Sequence, residues 1–148
     1  MSHTFTQLYV HYVFAPKSRY PIFTTDKSIT ILNYMIGICK NIDCHLEKGY
    51  IMSDHVHLLI NQHAKQSVSE IAKTIKANTS RFINTLPEMK CRFEWQEGYG
   101  AFTCSYSQIE IVKNYISNQE EHHRVHSFAE EYQALLKKHG LIVPSSRL

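Results

Sequence analysis

The chain predicts a single α+β domain, on three observations. Its 148 residues suit one domain and are enough to bury a core without cross-links. Runs that alternate apolar and polar residues are interspersed with runs at helical spacing. Three Ser-x-x-Glu boxes, at Ser67, Ser107 and Ser127, mark helix starts, because the serine can accept an N-terminal amide while the glutamate reaches back. With 43 % hydrophobic and 20 % charged residues, the composition is that of a globular protein rather than a disordered one.

The first element runs from Phe5 to Phe14. Leu8, Val10, Tyr12 and Phe14 share one side and Gln7, Tyr9 and His11 the other, which predicts a strand with one face buried. Pro16 and Pro21 bound the next loop, whose Lys17 and Arg19 fit a solvated connection and a DNA-phosphate contact equally well. From Asp26 to Cys39 a helix is expected, with Ile29, Leu32, Ile36 and Cys39 on one stripe and Ile31, Tyr34, Met35 and Ile38 outside it. A helix apolar on two sides must bury both, and the second side points to a subunit interface.

His45 to Met52 reads as a second strand, and Ser53-Asp54 as the short connection into a third, His55 to Ile60. The helix opened by Ser67 runs to about Asn84 and buries Val68, Ile71, Ile75, Phe82 and Leu86. Lys73, Lys76 and Ser80 lie off that stripe with Arg81 nearby, a face that is either solvated or follows phosphates. Residues 87–97 are expected to form a polar, irregular connection holding the single tryptophan, Trp95. A short strand follows from Ala101 to Cys104, then a helix from Ser107 to about His122. A last helix spans 127–141, burying Phe128, Tyr132, Leu135 and Leu136 and stopping at Gly140.

Composition narrows the function classes. Four cysteines show no Cys-x-x-Cys pair, and Cys39, Cys44 and His45 lack a fourth zinc ligand, so reduced thiols in a cytoplasmic protein are expected. No membrane-length apolar run is present. A formal charge of +3 permits nucleic-acid binding without requiring it.

The chemistry centres on Ser53-Asp54-His55-Val56-His57-Leu58-Leu59-Ile60. In a strand His55 and His57 face one way and Val56, Leu58 and Ile60 the other, so two imidazoles lie side by side and can share one metal ion. The alternative is a pair of solvated histidines on an open sheet face. A histidine-triad hydrolase would need a third histidine where Leu59 stands. Farther along, Tyr115 and Gln119 are four apart and hence neighbours on one helix, on a different side from the stripe Ile109, Val112 and Ile116. A deprotonated phenol can attack phosphorus and hold a DNA strand as a phosphotyrosine ester. A metal on His55, His57 and the amide oxygen of Gln119 would offset the phosphate charge.

These residues, with Gly98-Tyr99-Gly100-Ala101-Phe102 between the two halves and Tyr115-Ile116-Ser117-Asn118-Gln119 closing the set, resemble the single-tyrosine HUH transposases of the IS200/IS605 type. The resemblance covers nearly the whole chain as one IS200-like domain, residues 1–148. It implies a ferredoxin-like or RRM-like antiparallel sheet, a homodimer, and cleavage and rejoining of single-stranded DNA with hairpins at element ends. It implies Tyr115 as the nucleophile forming a 5′-phosphotyrosine, with His55, His57 and Gln119 as ligands for Mg²⁺ or Mn²⁺. Tyr115 of one subunit can then work on the histidine pair of the other. A domesticated relative that binds hairpins without transposing them is the competing reading. His122 and His123 fit either a solvated helix end or a part in proton transfer or DNA contact.

Overall fold

The computed structural model describes residues 3–17 and 23–144, which fall into two compact units that divide between Ser117 and Asn118. In the first unit β1 (Tyr9–Phe14), α1 (Thr25–Asn41), β2 (His45–Ile51), β3 (Val56–Asn61), α2 (Val68–Ile83), β4 (Gly100–Cys104) and α3 (Ile109–Ser117) follow in order. The second holds α4 (Gln119–His122) and α5 (Phe128–Lys138).

The four strands form one sheet in the order β2-β3-β1-β4, antiparallel at every pairing. This is the ferredoxin-like arrangement, two split βαβ units interleaved, as expected. Right-handed crossovers place α1 and α2 on the same face. Val10, Tyr12 and Phe14 of β1 and Val56, Leu58 and Ile60 of β3 point to that face and meet Ile31, Met35, Ile71, Ile75 and Ile83 in the main core. α1 lies so close to β2 that a Cβ added at Gly49 would stand 2.5 Å from Leu32.

All six residues of β1 are buried, on both faces, whereas the alternation predicts one. The reason is α3, whose Ile109 and Ile116 pack on Tyr9 and Leu59 and close the second face. The strand also starts later than expected, at Tyr9; Phe5 is exposed. The α1 stripe differs as well. Its buried residues are Ile31, Met35, Ile38 and Cys39, three of which the spacing places outside the stripe, while Ile29 is exposed. Tyr34 stacks on Phe82 of α2, with ring centroids 4.2 Å apart. The helix is thus covered on two sides by its own chain, and its second apolar side no longer argues for a dimer.

Residues 87–97 are less irregular than their polarity suggests. Lys17 N–H donates to the Glu94 carbonyl and Gln96 N–H to that of Ala15, so this stretch pairs with the chain beyond β1. Phe93 is buried, and Trp95 packs edge-on to Phe14 and donates its indole N–H to the Lys76 carbonyl.

Capping explains three helix starts and corrects a fourth. Thr24 and Ser67 accept the amides of Lys27 and Glu70, and Ser127 with Glu130 forms the complete reciprocal box. The box expected at Ser107 does not form. A 3₁₀ turn, Tyr106–Gln108, precedes α3, and the Ser107 hydroxyl pairs with that of Ser105 instead. The predicted single helix from Ser107 to His122 is two helices, broken at Asn118.

Candidate active site

The buried histidines of the second face are His57 on β3 and His11 on β1, the two central strands, and His55, which stands one residue before β3 rather than inside the strand as the sequence predicts. His55 and His57 are fully buried, their ring centroids 5.1 Å apart and nearly perpendicular. His57 pairs across the sheet with Val13 on one side and Tyr50 on the other, and His11 pairs with Leu59. His11 is therefore the diagonal neighbour of His57, within reach for ring side chains. Its Nε2 lies 2.8 Å from His57 Nδ1. His55 Nδ1 lies 2.8 Å from the Asp54 carboxylate.

α3 delivers the phenol. Its inner face is set by Ile109, Val112 and Ile116 at helical spacing, and Tyr115 flanks that stripe, half-buried. The Tyr115 ring stands edge-on to His57 of the same chain, centroids 5.7 Å apart, and edge-on to His11 at 6.1 Å. A Lys113–Glu47 ion pair, 3.5 Å, ties α3 to β2. Tyr115 and the histidine pair are thus brought together within the first unit. Gln119 is buried and belongs to the second, where it opens α4 rather than continuing the helix of Tyr115.

The donor chemistry suits a divalent cation. Ligating histidines commonly engage their second ring nitrogen with a carboxylate or other acceptor, which fixes the ring and the tautomer. Here both Nδ1 atoms are engaged in this way, by Asp54 and by His11, and two buried imidazoles suit Mn²⁺ better than Mg²⁺.

The basic candidates lie elsewhere. Lys17, Arg81 and Arg92 line a groove beside α2 with Trp95 and Glu94, and Lys73 and Lys76 line its continuation. α2 covers the helix face of the sheet, so this groove is on the opposite side from the histidines. Lys17 pairs with Glu94 at 3.1 Å. Lys76 points inward, donating to the carbonyls of Gln96 and Gly98, and burial lowers its pKa. Lys73 is exposed, as is Arg81, which reaches Asn78 at 3.4 Å. Arg19 lies outside the described residues.

Two residues escape sequence reasoning. His11 shares a side with Tyr9 in the alternation, but only the pairing of β1 with β3 sets it against His57. Glu131 interrupts the apolar stripe of α5 between Phe128 and Leu135, and such a carboxylate in a buried stripe is the missed signal. It is buried, with His123 Nε2 at 3.3 Å and His122 Nε2 at 4.0 Å. His123 is accordingly not a solvated helix end.

Residues 4–119 match the family model described as "Transposase IS200 like". The chain belongs to the IS200-like transposase family. Among curated relatives of this IS200-like transposase, the transposase for insertion sequence element IS200 from Salmonella typhimurium is 25 % identical over 126 residues, 82 % of each chain. The ISDra2 transposase TnpA of Deinococcus radiodurans is 22 % identical, over 78 % of this chain and 86 % of its own. Two solved structures share the fold. A Deinococcus radiodurans R1 protein superposes with a TM-score of 0.66 at 21 % identity, covering 80 % of this chain and 95 % of that one. A REP-associated tyrosine transposase, solved bound to a REP hairpin, gives 0.61 at 12 % identity, covering 83 % and 73 %. Among the described residues of the transposase, no helix is long and apolar enough to cross a membrane.

Proposed function

We propose that this IS200-like transposase cleaves and rejoins single-stranded DNA at hairpin-bearing element ends through a phosphotyrosine at Tyr115. The observation that carries the reading is the Tyr115 ring edge-on to buried His57 in one chain, 5.7 Å away. Family membership supports the substrate class, and the neighbour solved with a REP hairpin supports a folded strand as partner.

In the proposed step the Tyr115 phenol loses its proton and its oxygen attacks the phosphorus. The P–O3′ bond breaks, the 3′ oxygen takes up a proton, and the 5′ phosphate stays esterified to Tyr115. Attack by another 3′-hydroxyl reverses the sequence and restores a diester, so the bond is conserved without a nucleotide cofactor. His55 and His57, with the amide oxygen of Gln119, would hold Mg²⁺ or Mn²⁺. The bound cation would supply Lewis-acid polarisation of the phosphate. Asp54 and His11 fix the orientation of the two imidazoles, and α3 fixes the phenol against them. Lys17, Lys73 and Arg81 are proposed to touch phosphates, away from the reacting atoms, and Arg19 is proposed as a further phosphate contact on its charge alone; Lys76 is held to the 96–98 backbone and contributes less. The transposase is proposed to act as a homodimer, on the family resemblance.

The test is a single strand carrying a hairpin, labelled at each end in turn, incubated with the protein and Mn²⁺. The expected products are an upstream fragment with a free 3′-hydroxyl and a downstream fragment linked to the protein through its 5′ phosphate. Tight hairpin binding with neither product would identify a binder that has lost cleavage.

A further inference from the structure

His11 is a buried polar residue to which the strand-transfer chemistry assigns no direct task. It is 4 % exposed on the central strand β1, walled by Phe102 and by Tyr115, each with ring centroid 6.1 Å away. Its Nε2 stands 2.8 Å from His57 Nδ1, with ring planes inclined 29°. Two neutral imidazoles at that distance share one proton, and its location decides what His57 can do. With the proton on His57 Nδ1, His57 Nε2 presents a lone pair. With the proton on His11 Nε2, neutral His57 carries its own on Nε2 and cannot ligate through it.

We propose that His11 is a positioning residue for His57: it accepts the His57 Nδ1–H through its Nε2, keeps its own proton on Nδ1, and so holds His57 in the tautomer that offers Nε2 to a divalent cation. The inference rests on the metal reading above. His55 supplies the independent argument. Its Nδ1 faces the Asp54 carboxylate at 2.8 Å, and a carboxylate only accepts, so His55 Nδ1 is the donor there. The pair is then oriented alike, one imidazole by a carboxylate and the other by a second imidazole. Backbone register on the two central strands fixes the His11 contact, so it needs no mobile side chain to maintain it.

The test has two arms. The ¹⁵N resonances of the histidine rings in the metal-free protein report the tautomers: protonated Nδ1 on both His57 and His11 is expected, and a protonated Nε2 on neutral His57 would overturn the proposal. Mn²⁺ affinity, by calorimetry or electron paramagnetic resonance, is then compared for the wild type, His11→Leu and His11→Gln, with circular dichroism to verify folding. Leucine should weaken binding roughly 10- to 100-fold, and glutamine, which keeps an acceptor, should recover much of it. A folded His11→Leu that binds Mn²⁺ like the wild type would overturn the proposal; if it fails to fold, the glutamine variant and the tautomers decide. A wild type that binds no Mn²⁺, with the expected tautomers seen, would sink the metal reading and leave the His11–His57 hydrogen bond standing.

Discussion

Tyr115 on α3 and His57 on β3 meet within one chain, ring edge against ring face, 5.7 Å between centroids. The packing of Ile109 and Ile116 on Tyr9 and Leu59 holds them there, so the position of the Tyr115 ring is a property of the sheet's second core.

This geometry bears directly on subunit exchange. A dimer of Tyr115→Phe with His57→Ala is expected to show no recovered cleavage, because each site lacks one group when tyrosine and histidine come from the same chain. The measurement is hairpin-strand cleavage after proven subunit exchange. Activity in the mixed dimer, with neither parent active, would mean that the partner's tyrosine is the one used.

Removing the cation should stop chemistry without unfolding the chain, since Asp54 and His11 orient the two histidines through protein contacts. Chelation or His57→Ala is expected to lower cleavage by about 1,000-fold, the equivalent of several kcal/mol of Lewis-acid assistance. A large drop in melting temperature on adding EDTA would instead make the metal structural.

The reassigned face of α1 gives a stability test. Ile31 is fully buried, so Ile31→Ala should cost about 3 kcal/mol in denaturant titrations, while Ile29→Ala, at an exposed site, should change stability by about 0.5 kcal/mol at most. The reverse ranking would restore the face read from spacing.

The sheet order was legible in part. Four strands were read where β1 to β4 form, β1 and β3 from alternation, and serine boxes located α2 and α5, because those signals are local. What the spacing misjudged was decided by tertiary contacts. Ile29 and Ile31 are equally apolar, and only the seat of α1 on β2 and α2 selects between them. The helix break at Asn118 has no glycine or proline to announce it. Of the candidate site, His55, His57 and Tyr115 were readable from pattern and resemblance. His11 was not, since its partner lies 46 positions away and only strand pairing joins them.

The box at Ser127 predicts a pH effect. The Ser127 backbone N–H, then its hydroxyl, hydrogen-bond to the Glu130 carboxyl and lower its pKa from 4.5. A carboxyl lowered on folding contributes stability that is full above its unfolded value and lost as pH falls through the folded one. Glu130→Gln should therefore lose less stability than the wild type on acidification through that range, by melting followed at α5. Ser127→Ala should cost about 1 kcal/mol near neutral pH. Equal acid sensitivity of Glu130→Gln and wild type would remove the carboxylate from this account.

The most direct test of the central claim is to locate the covalent bond. Hairpin-bearing single strand is incubated with the wild type and Mn²⁺, the adduct is digested with protease and nuclease, and the nucleotide-bearing peptide is sequenced by mass spectrometry. The account predicts a 5′-phosphonucleotide on the phenol of Tyr115, and no adduct from Tyr115→Phe although that variant binds the hairpin as the wild type does. A nucleotide on any other residue, or an adduct that survives in Tyr115→Phe, would contradict it.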